Sequence, residues 1–96
     1  MTMNEQIPKS VSIKYCPKCK WLARAAWYAQ EILSTYVNDI ADVRLVPSTI
    51  AGEFRIDIGS VKVMDRSKDG FLEAKLVKRR IRDVIAPARS LGHVDE

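Results

Sequence analysis

Cys16-Pro17-Lys18-Cys19 are the residues of this chain whose types and spacing could do chemistry. Two cysteines separated by two residues can bring their sulfurs together across one turn. At that spacing they can close a disulfide or share a metal ion. They are the only cysteines in the chain, so each has only the other as an intramolecular partner. A β-α pattern around such a pair points first to redox chemistry. A thiol attacks only as its thiolate, so the residues around the pair matter as much as the pair itself. With Cys16 as a helix cap, Pro17 falls at the first helical position, where its missing N–H costs nothing. Cys19 then lies at the third. Orphan N–H groups and the positive end of the helix dipole would lower a thiol pKa there, helped by Lys18, Lys20 and Arg24. This geometry makes Cys16 the more acidic, more exposed and attacking thiol, with Cys19 shielded by the first turn and Trp21.

The alternative use of the pair is half a zinc site. Zinc takes four ligands, and the chain offers only Cys16, Cys19, His93 and carboxylates, without a second CxxC. A zinc site would therefore take the form of a bridged dimer. Lone His93 reads as a solvated tail residue. Trp21, Trp27 and Tyr28 read as packing residues, with Trp21 alternatively a cover for the dithiol or part of a partner surface. Gly70-Phe71 reads as a helix-entry turn with a core phenylalanine, or else as a loop beside the CxxC.

The elements that would position the pair follow from periodicity. Val11, Ile13 and Tyr15 alternate with Ser12 and Lys14, as in a strand with one buried face. Residues 19–37 place Leu22, Ala25, Ala29, Ile32, Leu33 and Tyr36 on one helical face. Val43, Leu45 and Val46 form a second strand, stopped at Pro47-Ser48. Strand, helix and strand in that order imply parallel pairing and a right-handed crossover. Residues 54–58 and 61–64 alternate as two more strands. Gly59-Ser60 between them suits a type II′ or I′ hairpin. Residues 65–70 read as a polar loop. A last helix opens at Phe71 or Leu72, with Val77, Ile81, Val84, Ile85 and Ala88 on its inner face and Pro87 near its end. The fold class is therefore α/β: a thioredoxin-like β-α-β-β-β-α order, with a four-stranded mixed sheet and two long helices on one face. The other sheet face is left thinly covered, a candidate partner or dimer surface. Thioredoxins proper carry a helix between the second and third strands and a proline before the third. Here residues 48–53 are too few for that helix, and no proline precedes Phe54.

Length and composition bound the rest. Ninety-six residues with 47% hydrophobic content fit one small domain over 1–96, with 1–9 and 91–96 loosely ordered. No apolar run is long enough for a membrane span, and no secretory leader is visible, so a cytoplasmic place is expected. A lasting structural disulfide is unusual in that compartment, which favours a cycling dithiol. The net charge of +4 owes much to Lys75, Lys78, Arg79, Arg80 and Arg82. This run reads as a solvated helix face rather than a specific nucleic-acid surface: no aromatic residue interleaves it, and no RNA- or DNA-binding motif accompanies it.

Several stretches together carry a resemblance. Residues 11–21, Pro47-Ser48, Gly52-Glu53-Phe54, Asp65-Arg66 and the Ala86-Pro87-Ala88-Arg89-Ser90-Leu91-Gly92-His93 run resemble the selenoprotein W group. More widely this is the Rdx (SelT/SelW/SelH) family, here its cysteine-containing bacterial branch. The similarity spans roughly residues 10–93. It implies a thioredoxin-like fold and a thiol-redox role in cell redox homeostasis. The expected partners are glutathione as a co-substrate, or protein thiols and disulfides, with no bound cofactor and a homodimer as a possible assembly. The family's selenocysteine position corresponds to Cys19, so the resemblance names Cys19 as the attacking group where helix geometry names Cys16. Two functions follow: a thiol-disulfide oxidoreductase, or a redox-regulated interaction module without turnover. Cys16 and Cys19 are the candidate catalytic residues of the first; Pro17, Lys18, Trp21, Gly70 and Phe71 would shape the site.

Overall fold

Alternating burial along Ser10–Tyr15 builds the first strand, β1, with Val11, Ile13 and Tyr15 turned inward. The computed structural model describes residues 8–86. The order continues with α1 (Leu22–Tyr36), β2 (Asp42–Pro47), β3 (Phe54–Ile58), β4 (Val61–Asp65), α2 (Arg66–Asp69) and α3 (Ala74–Ile85). The sheet order is β2-β1-β3-β4. β1 pairs parallel with β2, while β3 pairs antiparallel with both β1 and β4. The mixed four-stranded sheet is thus the one expected. Of the two hairpin residues only Gly59 has a positive φ, 57°, which favours the II′ turn over I′.

Both long helices cover the same sheet face. Ala25, Tyr28, Ile32 and Tyr36 of α1 join Val77 and Ile81 of α3 over the inward residues of β1 and β3. Two tyrosines fasten the helices together. The Tyr28 hydroxyl donates to the Leu72 carbonyl at 2.5 Å, and the Tyr36 hydroxyl donates to the Lys78 carbonyl at 2.6 Å. Each ring fills apolar volume while its one polar atom is satisfied.

Several boundaries and faces differ from expectation. Helix α1 starts at Leu22, after Lys20 takes a left-handed φ of 62° that interrupts helical geometry. Leu22 and Leu33 are 52% and 40% exposed, because Tyr28 and Tyr36 turn the buried arc toward α3. The loop at 65–70 contains α2: Asp65 caps it by accepting from the Ser67 N–H at 3.1 Å. Helix α3 begins at Ala74, later than Phe71 or Leu72. Pro87, Ala88 and the Leu91–His93 run lie outside the described residues.

The basic run is less solvated than expected. Lys78 is buried and pairs with Glu31 at 3.2 Å. Arg80 donates to the Val63 carbonyl and to Asp69, and Arg82 pairs with Asp83. Among the described residues neither long helix covers the opposite sheet face, as expected, yet that face is polar. Arg55 there bridges Asp57 at 2.8 Å and Glu53 at 3.3 Å, so it faces water like the open side of an antiparallel sheet.

Candidate dithiol site

The chain leaves β1 at Tyr15 and immediately buries Cys16, which is 2% exposed. Pro17 and Lys18 are exposed, and Cys19 is partly exposed. The Lys20 N–H closes this turn on the Pro17 carbonyl at 3.0 Å. The first helical bond of α1 runs from the Ala25 N–H to the Trp21 carbonyl at 2.9 Å. Trp21 is therefore the residue before the helix. Cys16 is not its cap, nor is Cys19 its third residue. A left-handed Lys20 separates the cysteine turn from α1, so the helix-start argument does not apply to the sulfurs.

Their donors come instead from a loop distant in sequence. The Ser48 N–H donates to the Tyr15 carbonyl at 2.7 Å, holding the start of the 48–53 loop beside the dithiol. Ser48 Oγ accepts from the Ile50 N–H at 2.9 Å and donates to the Glu53 carboxylate. The loop then reaches Gly52, whose φ of +80° suits glycine. The Gly52 backbone N–H donates to both sulfurs.

The thiols are poised in opposite directions. The Cys19 S–H donates to the Cys16 sulfur, and this bond, ahead of the Gly52 N–H, draws the Cys16 pKa below the ordinary thiol value. The same bond, ahead of burial, raises Cys19. The acidity order is the one expected, with a different cause: local donors replace a helix dipole. Lys18 helps Cys16 through its backbone N–H. The exposure order is reversed. Cys16 continues directly from the inward end of β1, and Cys19 lies further out on the turn.

Trp21 is a packing residue. Its ring meets Phe71 edge-on at 5.2 Å and Phe54 at 6.1 Å, and Tyr28 extends the cluster to Phe54 at 5.7 Å. Gly70, with φ 72°, ends α2 and turns the chain so that Phe71 enters this cluster. Gly70-Phe71 is thus a turn with a packed phenylalanine, whose ring meets Trp21 and Phe54. Two cations lie over the cluster: Arg24 at 4.1 Å from the Phe71 centroid and Arg66 at 4.9 Å from that of Trp21.

A recess of about 380 Å³ opens beside Cys16, lined by Pro17, Lys18 and residues 48–51. A second of similar size, between Lys20, Trp21, Arg24 and Trp27, touches neither sulfur. The first is the approach to the chemistry. Among the described residues no group of three or more His, Cys, Asp or Glu is placed to hold a metal ion. Reading the residues one by one missed Gly52 and Arg66 as neighbours of the dithiol. Their only signal was a place in the family-like stretches Gly52-Glu53-Phe54 and Asp65-Arg66.

The Rdx family model matches residues 10–83, which takes in the cysteine turn, the 48–53 loop and Arg66. Two crystal structures are similar over the same fold. One, of a protein from Bordetella parapertussis, is 50% identical, with a TM-score of 0.76 over 80% of this chain and 98% of the other. The second is a selenoprotein W-related protein from Vibrio cholerae, 40% identical, with a TM-score of 0.78 over 81% and 98% of the two chains. No curated protein matches. The thioredoxin-like arrangement of sheet and helices is shared with the selenoprotein W-related structure. With a family match that spans most of the sequence and takes in every element around the dithiol, this chain belongs to the Rdx family.

Proposed function

We propose that the protein is a thiol-disulfide oxidoreductase whose Cys16-Cys19 pair exchanges with glutathione or a protein disulfide. The observation that carries this reading is the hydrogen-bonded cysteine pair, with Cys16 held toward its thiolate at the floor of an open recess. The Cys16 thiolate attacks one sulfur of an incoming disulfide. A mixed disulfide forms, and the other half leaves as a thiolate that takes up a proton. Cys19 then loses its proton and attacks the Cys16 sulfur. The Cys16-Cys19 disulfide closes as the second half leaves. The chain is oxidised by two electrons and the substrate disulfide is reduced by two. Two thiols of the glutathione class reverse the oxidation.

The pKa pattern supports this order of attack. Cys19 is held protonated mainly by its bond to Cys16, and also by the charge there. Mixed-disulfide formation consumes that charge, so Cys19 is freed to ionise only when its attack is needed. Such a cycle suits a reducing compartment such as the cytoplasm. The test has two parts. Mild oxidation with diamide should remove two hydrogens from the monomer by mass spectrometry, and the reduced protein should turn over a small model disulfide with glutathione. Intramolecular closure without turnover would favour a redox-regulated interaction module. A chain that stays reduced, or joins only to other chains, overturns the exchange reading; bound zinc in the purified protein would point to a metal-bridged dimer.

A further inference from the structure

Arg66, on α2, bonds the 48–53 loop, lies on the aromatic cluster and acts through its charge on Cys19. Its Nε and Nη2 both donate to the Gly52 carbonyl, at 3.2 and 3.1 Å. The same guanidinium lies over Trp21, the residue that follows the cysteine turn. A planar fork held along one edge and on one face is well fixed, unlike a lysine head. Among the described residues no carboxylate lies within ion-pair distance of Arg66. Among these residues its charge is not held in an ion pair. The residue it grips also serves the sulfurs: Gly52 gives its carbonyl to Arg66, and the N–H on the other side of its Cα to Cys16 and Cys19.

We propose that Arg66 is a positioning residue for the second half of the exchange, holding Gly52 against the dithiol and supplying the positive charge under which Cys19 becomes a thiolate. This rests on the exchange reading above. Arg66 has a reason to act on Cys19 in particular. Its charge favours the ionised form of Cys19, whereas the influences opposing ionisation are the Cys16 bond, burial and the Cys16 charge. A mixed disulfide at Cys16 removes the bond and the charge. Gly52 and Arg66 then remain as the groups that favour the thiolate. Among the described residues the other charged groups around this site are Lys18 and Lys20 on the cysteine turn, Arg24 over Phe71, Glu53, which is engaged by Ser48 and Arg55, and Asp65, which shares a recess with Gly52 and Arg66 and is engaged by Ser67 and Lys62. Folding the chain would require only that α2 pack; it would not require an arginine aimed at a glycine carbonyl beside two thiols.

The test isolates Cys19 in a Cys16→Ala background and follows its alkylation by iodoacetamide against pH. This needs no turnover, so it separates failure of this proposal from failure of the exchange reading. Adding Arg66→Gln should move the profile to higher pH and slow labelling at pH 7 by about threefold or more, the effect of roughly half a pKa unit on the thiolate fraction. Arg66→Lys keeps a charge but cannot make the two-pronged bond, and should fall between. In the otherwise native chain, Arg66→Gln should lengthen the life of a mixed disulfide trapped at Cys16. Circular dichroism and thermal melts establish that each variant is folded. A folded Arg66→Gln protein with an unchanged Cys19 profile overturns the proposal. So does an Arg66→Lys profile identical with its parent, even where Arg66→Gln fails to fold.

Discussion

At Cys16 and Cys19 one hydrogen bond sets both acidities, and it sets them in opposite directions. Removing either partner should therefore move the other back toward an ordinary thiol. Cys19→Ala takes away the donor to Cys16, so the Cys16 pKa should rise and its labelling near neutral pH should slow. Cys16→Ala takes away the acceptor and the nearby charge, so the Cys19 pKa should fall and its labelling should quicken. Alanine is used because a serine hydroxyl would still donate. Peptide mapping after brief iodoacetamide treatment over a pH series reads both; two profiles that match the parent would falsify the shared bond. The pair itself was legible from spacing alone; its acidity order agrees with the expectation, but the helix start from which it was expected lies beyond the pair. Its exposure order was not, because that depends on a single left-handed residue, Lys20, that detaches the cysteine turn from the helix. Lysine carries no signal for that conformation, since side chains other than glycine, asparagine and aspartate adopt it only where tertiary contacts demand it. The Gly52 donor was equally hidden, because contacts between a turn and a loop distant in sequence leave no local pattern.

Helices and strands were more legible than the site, since periodicity is a property of each segment by itself. β1 alternates without a fault, and the β-α-β order forced a parallel pair that the structure contains. Helix α1 shows where such reading stops. Its apolar residues cover a wider arc than its neighbours bury, and the choice of arc is made by Tyr28 and Tyr36, whose hydroxyls reach carbonyls in and before α3. Leu22 and Leu33 lose the inward place they would otherwise hold. This ties the relative placement of the helices to two side-chain bonds. Tyr36→Phe keeps the ring's packing and deletes its bond to the Lys78 carbonyl. The variant should lose about 1 kcal/mol of unfolding free energy, the usual net worth of such a bond. Urea denaturation with an unchanged slope would measure it. No loss in midpoint would mean that packing alone sets the helix pair. Helix α2 escaped notice because four residues carry too little periodicity; Asp65 and Ser67, which cap it, looked like loop residues.

At the scale of the whole molecule the net charge of +4 remains, but among the described residues much of the basic run is engaged in ion pairs. Lys78 with Glu31, Arg80 with Asp69, Arg82 with Asp83 and Arg55 with two carboxylates leave no continuous basic stripe among these residues. Any association with nucleic acid should therefore be weak and lost on adding salt. Sequence-selective binding at physiological salt, at about micromolar strength or tighter, would contradict this. The same pairing predicts how the fold responds to acid. Asp65 is held below the usual carboxylate range first by the Ser67 hydroxyl it accepts from, with its backbone N–H and nearby lysines adding to this. Asp69 is held down by the Asp65 N–H and then by the Arg80 side chain and charge. Asp42 is held down first by Ser10, then by Arg44. In each case the folded-state pKa lies below the unfolded one, so the unfolded chain binds protons more readily in the window between them. Stability is then complete above the unfolded carboxylate pKa of about 4 and falls as pH drops through the folded values. Two of these groups join β4 to α2 and α3, so the loss concerns the elements that carry Arg66. The melting temperature should be level from about pH 7 to 5 and decline below pH 4. Asp69→Asn removes one of the titrating groups together with its ion pair to Arg80. It should melt lower than the parent at neutral pH, and the gap should narrow in acid. A gap that is constant across the pH series would show that Asp69 is not a source of the acid sensitivity.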